Sequence, residues 1–327
     1  MDERLKRLEV WLQARLGMAS VTLAPASSDA SFRRYFRVWY QGGTLIAMDA
    51  PPEREDAARF VRLARAFAAA GINVPQVFEE DYAQGFLLLS DLGTQSYLSA
   101  LQAGSAEGLY GDAISTLLRL QQNSGSAPAL PSYDQTLLTR ELGIFPEWYV
   151  ARHLGIALND ADRAVFDAAF AVLIESALEQ PVVWVHRDYH SRNLMVTEQD
   201  NPGVLDFQDA VMGPVTYDLV SLLRDCYIDW PAAQVKSWAD AYLARARAGG
   251  MLAEVADAQF MRWFDLMGVQ RHLKAIGIFA RLQHRDGKPG YLADIPRTLT
   301  YVRQVCTRYG ELADLGSWLS ARITLAA

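Results

Sequence analysis

The stretch Pro181–Asp209, PVVWVHRDYHSRNLMVTEQDNPGVLDFQD, decides the fold. An apolar run over residues 182–185 is followed by His186-Arg187-Asp188 and, five residues after the aspartate, by Asn193. A second apolar run and the turn sequence DNPG then lead to Asp206. Short apolar runs separated by turn residues are typical of β-strands. The stretch therefore predicts a strand, a polar loop, and a hairpin that carries an aspartate at its end.

The spacing of the polar residues in this stretch is typical of a phosphotransferase catalytic loop. In the pattern H-R-D-x-x-x-x-N the aspartate accepts a proton from the attacking hydroxyl and the asparagine binds magnesium. Asp188 and Asn193 occupy these positions, and Asp206 occupies that of a second magnesium ligand. Asp and Asn beside a Pro-Gly turn also act as turn formers. Four motif residues at the right offsets favour the catalytic interpretation.

Composition indicates an ordinary globular enzyme. The chain has 327 residues, of which 51% are hydrophobic and 21% charged, enough for one large or two medium domains. A net charge of −7 argues against general nucleic-acid binding and against a basic protein surface that binds membranes. Two cysteines fit a reducing cytosol without disulfides. The N-terminus is predicted to be a helix rather than a signal peptide, so we expect a cytoplasmic protein.

The first third of the chain is predicted to be β-rich. Short strands are expected at 22–23, 36–40 and 44–48, a helix at 53–70, and a hairpin formed by 77–80 and 86–89. A polar loop over 27–35 lies where a phosphate-covering loop is expected, although it lacks glycine. Its candidate nucleotide contacts are Ser31, Phe32, Arg33 and Arg34. An ordinary hairpin loop with solvated arginines is the alternative.

The third strand lacks the lysine that pairs with nucleotide phosphates in kinases. No lysine occurs between Lys6 and Lys236. Either an arginine supplies the positive charge that binds the phosphates, or magnesium and backbone N–H donors do more of this binding. The nearest arginines are Arg33, Arg34 and Arg37. Glu53 or Glu55 is a candidate for orienting this cation. The alternative is that each is a solvated glutamate in the first helical turn.

The segment Ser90-Asp91-Leu92 is predicted to leave the β-rich part as a hinge whose backbone binds adenine. Helices dominate beyond it, with spans expected at 109–122, 137–154 and 160–178. The predicted fold class is therefore α+β, with a small β-rich lobe and a larger helical one.

Two later features leave alternatives open. Asp218 is either a first-turn acid that complements the helix dipole or a buried brace for the catalytic loop. Residues 262–297 contain seven Lys or Arg and three Asp. They form a solvated helical face, or they face the cleft and favour a neutral or anionic acceptor. The basic residues considered for that acceptor are Arg271, His272, Lys274 and Arg281.

Several runs together carry a resemblance to a known family. SDASFRRYFR, MDAPPE, LLLSDLG, FPEWYV, HRDYHSRNLM, LDFQDA and GPVTYDLVSLLRD resemble the aminoglycoside phosphotransferase and choline kinase superfamily, which has the two-lobed protein-kinase-like fold. Within it, the chain is most similar to the anomeric amino-sugar kinases of bacterial cell-wall recycling. Those enzymes use ATP to phosphorylate the C1 hydroxyl of N-acetylmuramate and N-acetylglucosamine.

The resemblance implies specific roles. Asp188 is expected to be the catalytic base, Asn193 and Asp206 the Mg²⁺ ligands, and residues 90–92 the adenine hinge. The expected lobes are 1–90 for nucleotide and 91–327 for catalysis and acceptor binding. The expected acceptor contacts are Asp188, Gln208, Asp209, Arg271 and Lys274.

ATP and an amino sugar are the expected partners, and we expect a monomer. Two alternatives remain: a kinase of another alcohol, such as an aminoglycoside, choline or homoserine, and an inactive nucleotide-binding regulator, which the absent lysine suggests.

Overall fold

The computed structural model describes residues 2–27, 32–103, 106–125 and 128–323. In chain order its helices and strands are α1 (Glu3–Leu16), β1 (Leu23–Ser27), β2 (Arg34–Tyr40), β3 (Gly43–Asp49), α2 (Ala57–Ala69), β4 (Val77–Asp81), β5 (Phe86–Ser90), α3 (Tyr97–Ala103), α4 (Ala106–Gln122), α5 (Gln135–Ile144), α6 (Asp160–Leu178), β6 (Val182–Val185), β7 (Leu194–Met195), β8 (Gly203–Val204), β9 (Val211–Pro214), α7 (Tyr217–Leu223), α8 (Ala232–Ala248), α9 (Asp257–Asp286), α10 (Ile295–Cys306) and α11 (Ala313–Arg322). A π-helix, Phe145–His153, directly follows α5, and short 3₁₀ helices cover Pro289–Asp294 and Gly310–Leu312.

The chain folds into two compact units, and neither is a continuous piece of sequence. The first comprises Met1–Ser105, Ser126–Pro128 and Arg192–Gln208. The second comprises Ala106–Gly125, Ala129–Ser191 and Asp209–Ala327. The division differs from the predicted boundary between residues 90 and 91, since the segment that carries Asn193 and Asp206 belongs to the first unit.

An antiparallel sheet forms the centre of the first unit. In the described part of the chain it has five strands in the order β1-β2-β3-β5-β4. Helix α1 covers one face, where Leu8, Trp11 and Leu12 are buried against strand residues such as Val38 and Leu88. Period-two alternation in the strands and helical spacing in α1 together supply this core. A strand is present at each predicted place, although the first runs from Leu23 to Ser27 rather than over 22–23, and the β-rich N-terminal part is confirmed.

Helix α2 begins four residues later than the sequence predicts. Asp56 caps it, since its carboxylate accepts a hydrogen bond from Arg59 N at 2.9 Å. The prediction that Glu53 and Glu55 lie in the first turn is therefore wrong, and both precede the helix. Along α2, the predicted stripe that includes Phe60 and Phe67 is buried.

Backbone hydrogen bonds and aromatic packing tie residues 192–208 to the first unit. Val196 N donates to Gln95 O at 2.8 Å, and Val204 N donates to Asn73 O at 2.7 Å. The Phe207 ring lies 4.9 Å from that of Phe60 and 5.7 Å from that of Phe67, measured between centroids. The predicted hairpin is present as β7 and β8.

Helix α9 organises the second unit. It packs against α5, the π-helix, α6, α7 and α10, and a large apolar core surrounds it. Strands β6 and β9 form a short antiparallel ribbon in this unit. The predicted helix 160–178 is confirmed at both ends, and Asn159 and Asp162 form a capping box at its N-terminus. The predicted helix 137–154 is instead α5 followed by the π-helix. Within the described residues, no helix has the length and apolar character needed to cross a membrane.

The π-helix begins where α9 approaches the backbone most closely. A Cβ atom at Gly277 would lie 2.7 Å from the carbonyl carbon and oxygen of Ile144 and 2.8 Å from Phe145 N. Such distances are shorter than any normal packing contact, so the backbone at the junction of α5 and the π-helix requires glycine at this position.

We expect Gly277→Ala to lower the free energy of unfolding by about 1–3 kcal/mol, because the added methyl group overpacks a backbone contact. Gly268 in the same helix is a matched control, since a Cβ there meets Val220 Cγ1 at an ordinary 3.7 Å. Gly268→Ala should leave stability unchanged or raise it by up to about 1 kcal/mol through helix propensity. Denaturant unfolding of the two variants measures the difference. Equal stabilities would contradict the close approach.

Candidate active site

The candidate residues fall into two groups, one in each unit, and each group is described by itself. In the second unit, β6 delivers the loop His186-Arg187-Asp188. Arg187 has a φ of +77°, a left-handed conformation that is uncommon for a residue with a side chain. Strain of this kind persists only where surrounding contacts fix the backbone.

Asp218 provides these contacts from α7. Its carboxylate accepts hydrogen bonds from His186 N at 2.6 Å and from Arg187 N at 3.0 Å. The side chain is fully buried, so the structure matches the interpretation of Asp218 as a brace for the loop. Burial raises the pKa of Asp218 to about 7.

A second acid braces the later part of the loop. Asp225 accepts hydrogen bonds from both Ser191 N, at 3.0 Å, and Ser191 Oγ, and its other oxygen accepts from Tyr227 N at 3.0 Å. It is fully buried. Sequence reasoning missed Asp225, although an acid directly after the apolar helix of residues 217–223 is a usable signal.

Buried opposite charges surround the Arg187 side chain. Glu141 of α5 accepts from Arg187 Nη2 and lies 3.2 Å from Lys274 Nζ, and both cations contact the same oxygen, Oε1. Lys274 Nζ also donates to Tyr217 OH at 2.9 Å, and Tyr133 OH donates to Glu141 Oε2. Burial alone would raise the pKa of Glu141, but the charges of Lys274 and Arg187 outweigh it and hold that pKa below its usual range.

The same cations act on Asp188. Burial raises its pKa, whereas the charges of Lys274, His190 and Arg187 lower it, and the net pKa lies below the usual range. Asp188 is therefore a carboxylate at neutral pH. An ionised carboxylate is the form that accepts a proton from a hydroxyl group.

The basic residues of α9 are not a solvated face throughout. Arg271 and Lys274 are buried, and Arg271 Nη1 donates to Cys226 Sγ at 3.6 Å. The interpretation of residues 262–297 as a solvated helical face is wrong for Arg271 and Lys274. Their predicted contact with the acceptor stays a prediction, as does that of Asp209, which is exposed and whose backbone oxygen accepts from Arg187 Nη1 at 3.4 Å.

In the first unit, two oxygen-bearing side chains meet. Asn193 Nδ2 lies 3.4 Å from Asp206 Oδ2, and Gln208 Nε2 donates to Asp206 Oδ1 at 2.7 Å. The backbone joins them as well, because Leu205 N donates to Asn193 O at 2.9 Å. Asp206 has a φ of +62°, a left-handed conformation that is uncommon for a residue with a side chain. Gln208 was predicted to contact the acceptor; in the structure it binds Asp206, and its contact with the acceptor stays a prediction.

This pair fits magnesium held jointly with a nucleotide. A carboxylate and an amide oxygen are hard donors, and Mg²⁺ is usually bound by one or two carboxylates together with phosphates and waters. Residues 2–27, 32–103, 106–125 and 128–323 contain no group of three or more His, Cys, Asp or Glu arranged to hold a metal. Two protein oxygens leave coordination positions of Mg²⁺ for phosphate and water ligands.

The structure distinguishes the three candidate arginines. Arg34 pairs with Asp49 and Asp2, and Arg37 binds Asp91, with Arg37 Nη2 at 3.0 Å from Oδ1. Arg33 instead reaches the metal-ligand candidate. Its Nη2 lies 3.4 Å from Asp206 Oδ1 and its Nη1 lies 3.8 Å from Glu55 Oε2.

The remaining predicted nucleotide residues lie in the first unit, apart from Ser31, which falls outside the described residues. Ser90 Oγ accepts from Gln76 N at 2.8 Å, and Asp91 Oδ1 accepts from Gly93 N at 2.9 Å. Leu92 packs against Gly203, and Phe32 is exposed beneath the Arg54 guanidinium, 4.5 Å from its ring centroid. Their contact with adenine or phosphate stays a prediction.

A small antiparallel sheet followed by mainly helical structure, with a braced H-R-D loop, defines a kinase-like phosphotransferase. The family model described as "Phosphotransferase enzyme family" matches residues 22–264. The chain belongs to this family.

Curated relatives and solved structures agree with this assignment. The chain is 49% identical over 98% of its length to a Pseudomonas putida protein named N-acetylmuramate/N-acetylglucosamine kinase, of which it covers 96%. It is 48% identical to the protein of the same name from Pseudomonas aeruginosa, with 98% of this chain and 97% of the relative covered.

The structural neighbours are more distant in sequence. Choline kinase LicA from Streptococcus pneumoniae superposes with a TM-score of 0.64 at 9% identity, covering 93% of this chain and 100% of LicA. A thermostable mutant of the aminoglycoside phosphotransferase APH(4)-Ia, in ternary complex with AMP-PNP and hygromycin B, gives a TM-score of 0.59 at 18% identity, covering 90% and 97%. Likeness at these identities shows the fold alone, and it confirms the predicted protein-kinase-like fold.

The Asp218 brace predicts a loss of both stability and rate. In Asp218→Asn the amide has one accepting oxygen, so one of two buried N–H groups loses its partner, at a cost of about 1–3 kcal/mol. We expect kcat to fall about 100-fold as the loop shifts. Asp240→Asn is the control, because Asp240 is exposed. Unchanged kcat in Asp218→Asn would contradict the brace.

The raised pKa of Asp218 also predicts a pH dependence of stability. The folded protein binds this proton more tightly than the unfolded chain, whose value is 3.8. The stabilisation is therefore complete below about pH 3.8 and is lost as pH rises through about 7. Unfolding measured between pH 4 and 8 should show a shallower decline in Asp218→Asn than in the wild type.

Proposed function

We propose that this protein is a kinase that uses ATP to phosphorylate the anomeric C1 hydroxyl of N-acetylmuramate and N-acetylglucosamine. The observation that carries the proposal is near-full-length identity of 48–49% to relatives named N-acetylmuramate/N-acetylglucosamine kinase. The choice of the C1 hydroxyl follows from the resemblance of the sequence to anomeric amino-sugar kinases. The place of such a reaction is the salvage of cell-wall sugars.

Asp188 performs the acceptor step in this proposal. Its carboxylate accepts a hydrogen bond from the C1 hydroxyl, aims the oxygen at the phosphorus, and takes the proton as the new bond forms. An anomeric hydroxyl is more acidic than an ordinary alcohol because the ring oxygen withdraws electrons. A carboxylate with a lowered pKa, such as Asp188, is therefore a sufficient base for it.

Asn193 and Asp206 would hold Mg²⁺, which neutralises charge on the phosphates when it is bound. The protein's own task here is orientation. Gln208 fixes the Asp206 carboxylate through a 2.7 Å hydrogen bond, and the hairpin backbone fixes Asn193 relative to it. Positioning of this kind and charge stabilisation supply most of the rate in phosphoryl transfer.

In this proposal Arg33 supplies the positive charge that the missing lysine supplies in other kinases. Its guanidinium lies between Glu55 and Asp206, the arrangement in which a kinase lysine is held by a glutamate near the nucleotide phosphates. Arginine suits this position because its planar fork binds phosphate oxygens in pairs. Arg34 and Arg37 pair with other carboxylates, those of Asp49 and Asp91.

The partners and location follow from this activity. ATP and the amino sugar are the substrates in this proposal. We infer a cytoplasmic protein, because ATP is supplied there. Cys226 and Cys306 are buried and unpaired with each other, which suits a reducing compartment. We infer that the protein acts as a monomer.

Phosphoryl transfer should be seen with N-acetylmuramate and N-acetylglucosamine and be lost in Asp188→Asn. The substitution keeps the shape of the side chain but removes the carboxylate that accepts the proton, so we expect kcat to fall about 10²- to 10⁴-fold. Coupled ADP release measures the rate, and phosphorus NMR identifies the product as a C1 phosphate. Kanamycin and choline complete the acceptor panel.

Each other outcome points to a different function. Turnover on kanamycin or choline alone would make the protein a kinase of another alcohol. ATP binding without turnover on any acceptor would favour a regulator.

The role of Arg33 predicts a defect on the nucleotide side. Arg33→Ala should raise KM for ATP or lower kcat by about 10- to 100-fold, because a charge-assisted contact to phosphate is lost. Arg33→Lys keeps the charge and should retain part of the activity. Arg62→Ala is the control, since Arg62 is an exposed arginine in the same unit. If KM for ATP and kcat were both unchanged in Arg33→Ala, another donor would hold the phosphates.

A further inference from the structure

The buried charges around Glu141 form a network rather than a single ion pair. One oxygen of Glu141 contacts both Arg187 and Lys274, and its other oxygen accepts from Tyr133, whose hydroxyl accepts in turn from Gln270 Nε2 at 2.9 Å. The Glu141 side chain is only 4% exposed and that of Lys274 11%. Buried charges are costly unless they are balanced, so the balance of this network is informative.

Glu141 alone does not balance the two cations. Arg187 and Lys274 carry two positive charges, and Glu141 carries one negative charge. Asp188, the residue after Arg187, supplies the second carboxylate, and its charge interacts with both cations. The four groups are neutral together only while Asp188 is ionised. A proton on Asp188 leaves one excess positive charge in the interior of the unit.

The charged and titratable groups that act on Asp188 come from three elements. On its own loop these are His186, Arg187 and His190, on α9 they are Arg271 and Lys274, and on α7 the buried acid is Asp218. Lys274 exerts the largest lowering effect of any charge on Asp188. It is also the cation whose position is most fully fixed from outside the loop, through Glu141 and Tyr217.

We propose that Lys274 is a positioning residue for Asp188, and that its ammonium group, fixed by Glu141 and Tyr217, keeps the catalytic carboxylate ionised and ready to receive the acceptor's proton. Glu141 has the opposite effect, since it cancels part of the positive charge and prevents Asp188 from becoming too weak a base. The inference rests on the proposed function, because it assigns Lys274 a role through the base of that reaction.

Two other roles for Lys274 make different predictions. A purely structural lysine would affect stability but not the protonation of Asp188. A lysine that binds the carboxylate of N-acetylmuramate would change the preference between the two sugars, because N-acetylglucosamine lacks that carboxylate.

The test is the pH dependence of kcat/KM in Lys274→Met, Lys274→Gln and Lys274→Arg. Removing a cation whose charge lowers the pKa of Asp188 should raise that pKa by about 1–3 units, so activity should be lost at higher pH in Lys274→Met and Lys274→Gln than in the wild type. Lys274→Arg keeps the charge and should keep the wild-type acid limit. Protonation of ATP affects all variants equally, so the difference from wild type is the readout.

Controls separate folding from protonation. Lys274→Gln retains a hydrogen-bond donor for Tyr217 or Glu141, so it tests the charge even where Lys274→Met fails to fold. Glu141→Gln should shift the acid limit in the opposite direction, to lower pH, and should lower kcat across the range. Lys236→Met removes an exposed lysine that pairs with Asp240, and its pH profile should match the wild type.

The outcomes are distinct. An acid limit shifted upward in both neutral variants, with the sugar preference unchanged, supports the proposal. A wild-type acid limit in Lys274→Gln would overturn it, whether stability fell or the sugar preference changed. Absence of turnover on either sugar in the wild-type protein would instead refute the proposed function.

Discussion

The carboxylate of Asp218 fixes the backbone on which the active-site geometry of the second unit depends. It accepts two N–H bonds from adjacent residues, one of which, Arg187, is in a left-handed conformation. One carboxylate that accepts hydrogen bonds from two successive N–H groups fixes the orientation of the peptide between them. The direction of the Arg187 side chain toward Glu141 follows from that peptide. Burial strengthens the constraint because no water replaces the carboxylate there.

Local sequence patterns predicted much of the fold, for identifiable reasons. The boundaries of α6 were correct because an Asn-x-x-Asp cap and a regular apolar spacing both act over a few residues. The start of α2 was misplaced because acidic residues in 53–56 suit a first helical turn and also suit a cap, and Asp56 forms the cap. The π-helix was not predicted; it begins beside the backbone contact between Gly277 and Ile144, and these residues are far apart in the chain.

The candidate site divides in the same way. Asp188, Asn193 and Asp206 could be proposed as candidates from spacing, because the loop and the hairpin after it form a local motif. Glu141 lies 46 positions from the Arg187 it binds, and Asp225 lies 34 positions from Ser191, so no local pattern pairs them. Lys274 was predicted to contact the acceptor, and that stays a prediction; its burial between Glu141 and Tyr217 depends on how α5, α7 and α9 pack. A lone basic residue in a sequence carries no information about which acid will neutralise it.

The interleaving of the two units limits how such a gene can recombine. Residues 192–208 are part of the first unit, yet segments of the second unit precede and follow them in the chain. A single crossover between two related genes therefore cannot exchange one unit intact. Wherever it falls between the sheet and the hairpin, it joins a sheet from one parent to a hairpin from the other, and Asn73 and Phe60 must then match a foreign Val204 and Phe207. Diversification within this architecture is consequently expected to proceed by point substitution and by insertion in loops rather than by shuffling of the two units.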